Sequence, residues 1–443
     1  MEKGSKKVEN AWAMYDWANS SYNLVITSTI FPAYYVAVTT NKVNTELSYV
    51  NFFGLKIINT ALQNYTLGIV FLLVAFMSPI LSSIADYRGN KKSFMRFFTF
   101  MGAASCSTLF FFTPERIEFG MITFAIAALG FWSSLVFYNS YLPDIAPPQD
   151  RDRVSAKGFA MGYIGSVILQ IICFIILLKP GLFGLDTSDK TIGARMSFLL
   201  VGLWWFGFAQ ITFKALPSNS VSNKKMKKHI LANGFHELKL VWNQVKELPA
   251  LKRYLFSFFL FSVGVQTVML VAASFSKKEI FPKDEDEPKL LLTIILIQLV
   301  AIFGAIIMSK LSKKIGNIPT LLVAVSIWIC ICITAYFVTS QVQFYFLAVF
   351  VGLVMGGIQS MSRSTYAKLL PKTDDTTSFF SFYDVTEKIA LTIGLFLFAS
   401  NEELTGSMRT SILVLMCFFI LSFFALLHTR KTITKEKYAD LFN

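Results

Sequence analysis

The stretch from Trp12 to Tyr35, WAMYDWANSSYNLVITSTIFPAYY, constrains the fold more than any other part of the chain. It is apolar and long enough to cross a bilayer, since about 20 residues rising about 1.5 Å each span the hydrocarbon core. Yet it carries Asp16, Asn19, Ser20, Asn23 and Thr27 where a lipid-facing helix carries leucine. Asp16, Ser20, Asn23, Thr27 and Tyr34 fall at offsets of 0, 4, 7, 11 and 18, which puts them on one face of an α-helix. A carboxylate near the membrane centre costs about 2.5–3.5 kcal/mol on the most lenient insertion scale. The polar face therefore predicts neighbouring helices around a wet cavity, as in a carrier, and not a lone anchor.

Composition supplies those neighbours. Of 443 residues, 54% are hydrophobic and 15% charged, against roughly 25% charged in soluble domains, so the chain reads as an integral membrane protein with several spans. His229, His236 and His428 fall in polar segments, which argues against histidine metal sites, haem ligation and histidine relays inside the membrane. Cys106, Cys173, Cys330, Cys332 and Cys417 lie in apolar runs and read as buried reduced thiols, because Cys330-x-Cys332 has neither zinc nor thioredoxin spacing. No cofactor is expected. The first apolar run is too long and too polar-striped for a cleavable signal.

Hydropathy predicts an all-α polytopic protein with twelve transmembrane helices, at about 12–38, 60–84, 93–113, 119–142, 157–179, 194–216, 253–275, 289–309, 318–339, 342–369, 378–400 and 408–428. With the N-terminus cytoplasmic, 28 Lys and Arg flank the spans on that side and 11 on the other. Arg363 and Lys388, within spans, complete the 41. Both termini are thus expected in the cytoplasm, with the acidic run Asp284–Glu287 outside. The net charge of +14 is then a topology signal and not a sign of nucleic-acid binding. Three parts follow: a six-helix bundle at 1–216, a cytoplasmic linker at 217–252, and a second six-helix bundle with a tail at 253–443. In the linker, the Lys224–Lys228 run KKMKK is expected to meet anionic headgroups. Leu231, Phe235, Leu238, Trp242 and Val245 recur at helical spacing and predict an amphipathic helix on the inner membrane face. Gly-Asn follows a basic turn after both the second and the eighth span, consistent with two repeats and a site at their interface.

Several motifs carry a resemblance. ADYRGNKK (Ala85–Lys92) resembles the loop 2–3 motif of the major facilitator superfamily, with Ser82 in place of the usual Gly and Asn90 in place of a usual basic residue. MYDWANSSY (Met14–Tyr22), FYNSYLPDIAPPQDRDRVSAKGFAMGYIGS (Phe137–Ser166), GGIQSMSRSTYAKLLP (Gly356–Pro371) and FFSFYDVTEK (Phe379–Lys388) are similar to the unknown-major-facilitator family, which includes autophagy-linked vacuolar amino-acid effluxers of fungi. The resemblance covers nearly the whole chain and implies the major facilitator fold and alternating access. It implies that Asp86, beside Arg88, gates the cytoplasmic side by facing the start of span 11, with Lys313 where the second half would carry its acid. It also implies that spans 1, 4, 7 and 10 line the cavity.

On those spans, Asp16, Asn19, Asn23 and Tyr22, Tyr138 and Asn139, Gln266, and Gln359 with Arg363 are the candidate substrate-binding residues, with Tyr15, Trp17 and Tyr141 nearby. Such amides and aromatics suit a small zwitterion or polar metabolite. Asp384, Glu387 and Lys388 share a helix face, and with Arg363 their formal charges cancel. They read either as a structural network or as a coupling device in which Arg363 takes a substrate carboxylate and frees an acid for a proton. Asp16 is the best single candidate for proton coupling, unless it pairs with Lys157 or Arg153. Gly158, Gly162 and Gly165 are spaced for close helix packing.

The expectation is a secondary transporter of a small polar solute, an amino acid or related metabolite, working as a monomer in the inner membrane with protons as partners. The alternative is a drug or metabolite/proton antiporter. No HExxH, Walker or GxSxG motif is present, so an enzyme is not expected.

Overall fold

The computed structural model describes residues 3–40, 49–88, 90–217, 230–281, 287–373 and 375–442. The chain is nearly all helix: α1 (Lys6–Ser21), a π-helix (Tyr22–Ile30), α2 (Phe31–Thr39), α3 (Asn59–Arg88), α4 (Lys91–Thr108), α5 (Ile117–Ser140) and the short α6 (Leu142–Ile145). Then follow α7 (Arg151–Leu178), α8 (Ile192–Ala215), α9 (Ile230–Glu247), α10 (Pro249–Glu279) and α11 (Glu287–Ile315). The last are α12 (Asn317–Phe337), α13 (Gln341–Leu369), α14 (Thr376–Thr405) and α15 (Met408–Phe442). A small antiparallel hairpin, β1 (Tyr49–Phe52) and β2 (Leu55–Ile58), precedes α3 and departs from the all-helical expectation. Phe53 and Gly54 both have positive φ at its turn, as a tight two-residue hairpin requires.

Among the described residues, ten helices are long and apolar enough to cross a membrane. The run Lys6–Thr39 and α14 fall outside that set, the first divided by its π-helix and the second bearing Asp384, Glu387, Lys388, Glu402 and Glu403. Several helices overrun the hydropathy boundaries: α10 starts at Pro249, and α15 runs on to Phe442. Local signals explain the ends. Ser340 and Gln343 form a reciprocal capping box at the start of α13, and Gly406, at φ 69°, closes α14. In the loop before α8, Asp189 accepts from the Thr191 hydroxyl at 2.6 Å, which holds its carboxyl below the usual range, and from Arg195 at 3.1 Å.

The π-helix is the main local surprise. Pro32 lies at the start of α2, where its ring and missing N–H disturb the preceding turn. The widened turn is held by side chains reaching five residues back: Ser28 Oγ donates to the Asn23 carbonyl at 2.9 Å and Thr29 Oγ1 to that of Leu24 at 2.8 Å. The wider turn breaks the polar stripe. Ser28, not Thr27, joins the cavity wall, Thr27 is buried without a hydrogen-bond partner, and Tyr34 donates to the Phe112 carbonyl.

Large apolar side chains such as Leu72 and Phe76 on α3 and Phe303 and Ile307 on α11 are exposed, forming the outer wall that a bilayer covers. Cys330 and Cys417 are exposed too, contrary to the expectation of burial, because they point out from α12 and α15; all five cysteines are free. In α9, Val241 and Val245 form the buried face, and Trp242 stacks on Phe382 at 5.6 Å, so this helix packs against α3 and α14 as well as presenting an apolar side. The side chains of Leu231, Phe235 and Leu238, the Lys224–Lys228 run and the acidic side chains of Asp284–Glu287 lie outside the described residues.

Helices from the two ends of the sequence meet along two seams, α7 against α11 and α13, and α3 against α14. Both termini sit at one end of the molecule: Gly4 N donates to the Ile145 carbonyl, and Glu436 accepts from Ala250 N beside the start of α10. This terminal end is where the seams are most heavily hydrogen-bonded.

Candidate functional site

A cavity of about 240 Å³ lies between the seams, walled by α1, the π-helix, α5, α7, α10, α11, α12, α13 and α14. Asp16, Asn19, Asn23, Asn139, Gln266, Gln359, Arg363 and Glu387 all reach its wall. Phe159 and Tyr163 on α7, Gln298 on α11 and Tyr383 on α14 do so too, and none of these is among the sequence candidates. Tyr163 donates to Gln359 Oε1 at 2.8 Å, bridging α7 to α13.

The glycine face of α7 brings α1 close. A Cβ at Gly158 would stand 2.5 Å from Asp16 Oδ2, one at Gly162 2.5 Å from Ser20 Oγ, and one at Gly165 2.6 Å from the Trp17 carbonyl. Asp16 is thereby set into a cluster centred on Arg363. Arg363 Nε donates to Ser155 Oγ at 3.0 Å, Nη2 to the Ser155 carbonyl at 2.9 Å, and Nη1 to Asn139 Oδ1 at 3.1 Å. Nη1 and Nη2 each also reach Asp16 Oδ2 at 3.4 Å. The guanidinium lies over Trp12, Tyr138 and Phe159, the ring of Phe159 at 4.3 Å. Tyr138 donates to Asp16 Oδ2 at 2.7 Å and stacks on Trp12. Every N–H of the fork thus has an acceptor in the protein, leaving none for a substrate carboxylate in this state.

Two expectations are corrected here. Asp16 pairs with Arg363, 347 positions away, and not with Lys157 or Arg153: Lys157 reaches Asn10, and Arg153 binds Glu9 at 2.8 Å. Nor do the four charges of α13 and α14 form one network. Lys388 lies 3.4 Å from Asp384 Oδ1 and 3.7 Å from Glu387 Oε2, with its ammonium 3.8 Å above the Trp132 ring. Ser78 of α3 donates to Asp384 at 3.4 Å, and Gln266 of α10 donates to Glu387 Oε1. Lys388 and Asp384 are buried behind the wall, and Glu387 is the member that faces the cavity.

Tyr22 and Tyr138 are not on the wall. Tyr22 is buried between Phe131 and Trp205, and Tyr138 acts through Asp16. Tyr15, Trp17 and Tyr141 also turn away, to Thr99, Trp204 and the Pro217 carbonyl. The aromatic lining comes instead from α5, α7, α10, α12 and α14.

Two carboxylate latches are among the ties at the terminal end, beside Arg151, which donates to the Ala367 carbonyl. Asp86 accepts from Ser378 N at 2.7 Å, Ser378 Oγ at 2.9 Å and Thr377 N at 3.3 Å, at the N-terminus of α14, where the helix dipole favours an anion. The side chain of Arg88 lies outside the described residues. The corresponding junction between α7 and α11 has an acid after all: Asp152 accepts from Lys368 at 2.6 Å, Ser312 Oγ at 2.7 Å and Asn317 Nδ2 at 2.8 Å. The carboxylate stands on the opposite partner from that in the first latch, which is why reading Lys313 alone missed it.

A cavity walled by polar groups from both ends of a many-span chain, latched at one end, is the architecture of a membrane transporter. Among solved structures, the major facilitator superfamily transporter FucP in the outward conformation is similar at a TM-score of 0.69 and 12% identity, over 96% of this chain and 98% of that one. The human organic anion transporter MFSD10 (TETRAN) is similar at 0.70 and 12%, over 96% and 100%. The fold is therefore that of the major facilitator superfamily, and the protein is a transporter and not an enzyme. In sequence, the uncharacterized MFS-type transporter YxiO of Bacillus subtilis (strain 168) is 33% identical over 424 residues, covering 95% of this chain and 94% of that protein. Autophagy-related protein 22-2 of Penicillium rubens is 23% identical, over 86% and 78%. Residues 4–436 match the family described as "Vacuole effluxer Atg22 like", and the chain belongs to that family.

Proposed function

We propose that this chain is a secondary active transporter that moves a small polar solute of the amino-acid class by alternating access, with proton exchange as its driving reaction. In this reading Lys6–Thr39 and α14 join the ten apolar helices to make twelve spans, grouped as bundles at 1–216 and 253–443 joined by the 217–252 linker. Both termini lie in the cytoplasm of a cell whose inner membrane houses the protein as a monomer. The charge asymmetry of the flanks supports this orientation. The latched terminal end is then cytoplasmic.

The observation that carries the reading is the cavity itself. Its wall mixes amides and hydroxyls with two carboxylates at the junction of two seams that can separate, and it is of a size for a small metabolite. The motif resemblance to amino-acid effluxers supports the amino-acid class, and membership in a family described as vacuole effluxers supports a carrier of small solutes across a membrane. The test is counterflow: proteoliposomes preloaded with a mixture of unlabelled amino acids should transiently accumulate a labelled one. Absence of exchange for every amino acid, with monodisperse protein in the vesicles, would rule this substrate class out.

A further inference from the structure

The ionisable groups around the cavity do not cancel. Asp16 and Arg363 neutralise each other in a fully bonded cluster. Lys388 faces both Asp384 and Glu387, so with all three ionised that cluster carries one uncompensated negative charge. The other groups bonded to it are neutral: Ser78 from α3, Trp132 from α5 and Gln266 from α10. Tyr383, also on α14, is the other titratable side chain close by. Asp384 is buried against Ser78 and Lys388, whereas Glu387 lines the cavity, so the surplus charge is presented to whatever enters. Charge buried at this depth persists only when something balances it.

We propose, building on the carrier reading, that Glu387 anchors a positively charged nitrogen of the substrate in competition with a proton. Either cation brings the cluster to neutrality, and both together would overshoot it. Binding an ammonium group at Glu387 therefore releases the proton held there, and transport exchanges one positive charge for another with no net charge moved by the cluster. Trp132, whose ring already carries Lys388, and Tyr383, stacked on Phe258, reach the same stretch of cavity wall. Among the described residues, no free guanidinium or ammonium is presented for a carboxylate, since Arg363 is saturated and Lys388 lies behind the wall.

The test is thermal-shift binding on the purified full-length protein with each amino acid in three forms: free, C-amidated and N-acetylated. At least one free or amidated form should stabilise the protein, and its N-acetylated counterpart should bind about tenfold or more weakly. Lowering the pH from 7 to 5, a range in which the amine of the amidated form (ordinary pKa about 7.7–8.0) stays mostly protonated, should weaken its binding in wild type and not in Glu387→Gln, which should itself bind it about tenfold or more weakly. An N-acetylated form that binds as well as its amidated partner overturns the proposal, and this comparison needs no variant. So does Glu387→Gln that binds the amidated form with wild-type affinity. Failure of every amine to bind also overturns it, while counterflow of an uncharged solute would then leave the carrier reading standing.

Discussion

Arg363 and Lys388 are both buried cations beside one cavity, on α13 and α14, and their surroundings differ in kind. Arg363 has an acceptor for each N–H, the three shortest at 2.9–3.1 Å from Ser155 and Asn139, and three rings against its faces. Lys388 has its two carboxylates at 3.4 and 3.7 Å, longer than the roughly 2.7–2.9 Å of a strong charge-assisted bond, and rests on Trp132. A saturated cation holds helices together. A loosely held one shared by two acids can trade partners as protons come and go. The difference separates a structural ion pair from an exchangeable one within a single protein.

The sharpest way to break this contrast is Arg363→Ala. It leaves Asp16 buried with only the Tyr138 hydroxyl, and breaking a buried pair from one side costs about 3–5 kcal/mol. A large drop in melting temperature is expected, partly regained when Asp16→Asn is added, because the orphaned charge is then gone. If the single variant melts with the wild type, Arg363 is not the structural member of the comparison.

Lys388→Met should cost less, about 1–3 kcal/mol, because its bonds are long and one of the two acids can take up a proton in its place. Protonation relieves the repulsion between Asp384 and Glu387, so the loss should shrink as the pH is lowered from 8 to 5. A loss equal to that of Arg363→Ala and flat with pH would erase the distinction between the clusters.

Much of this architecture is legible in the sequence, and the reasons it stops being legible are physical. Apolar runs such as 289–309 announce themselves because a bilayer tolerates little else over that length. Asp16, Asn139, Gln359, Arg363 and Glu387 stand out as polar groups in apolar runs, and all reach the cavity. Their partners do not stand out, because which acid meets which base is decided by helix packing. Nothing near Asp16 in the chain points to Arg363, although Gly158 and Gly162 mark the helix that lets α1 come close. The π-helix is equally silent: Pro32 warns of a disturbed turn, but Thr27 and Ser28 look interchangeable until the register is known. Tyr22, six residues after Asp16, already falls on another face of the α-helix and packs against Phe131 and Trp205.

The contrast between saturated and loose bonding recurs at the latches. Asp152 is held by three side chains, the shortest bond coming from Lys368, and Asp152→Asn removes the charge that this ammonium faces. Because Lys368 is partly exposed, water compensates some of the loss, and a cost of about 1–2 kcal/mol to the latched state is expected. Transport should fall about tenfold as the latched state becomes less populated, and crosslinking of cysteines placed across α7 and α11 at the terminal end should fall with it. Undiminished crosslinking would show that this junction is closed by packing alone.

Asp86→Asn should have the smallest effect. The backbone N–H groups of Thr377 and Ser378 that bind Asp86 stay in place, and the asparagine oxygen can still accept one of them, so the loss is chiefly the attraction between an anion and a helix N-terminus. That attraction is worth about 0.3–1 kcal/mol at exposed sites and up to about 2 kcal/mol where partly buried. Turnover in proteoliposomes should slow about two- to tenfold with expression and melting temperature near wild type. Asp86→Glu keeps the charge but moves it by a methylene, so it separates the two contributions: turnover closer to wild type than in Asp86→Asn assigns the latch to charge, and equal slowing assigns it to geometry. Wild-type turnover in both variants would remove Asp86 from the latch altogether.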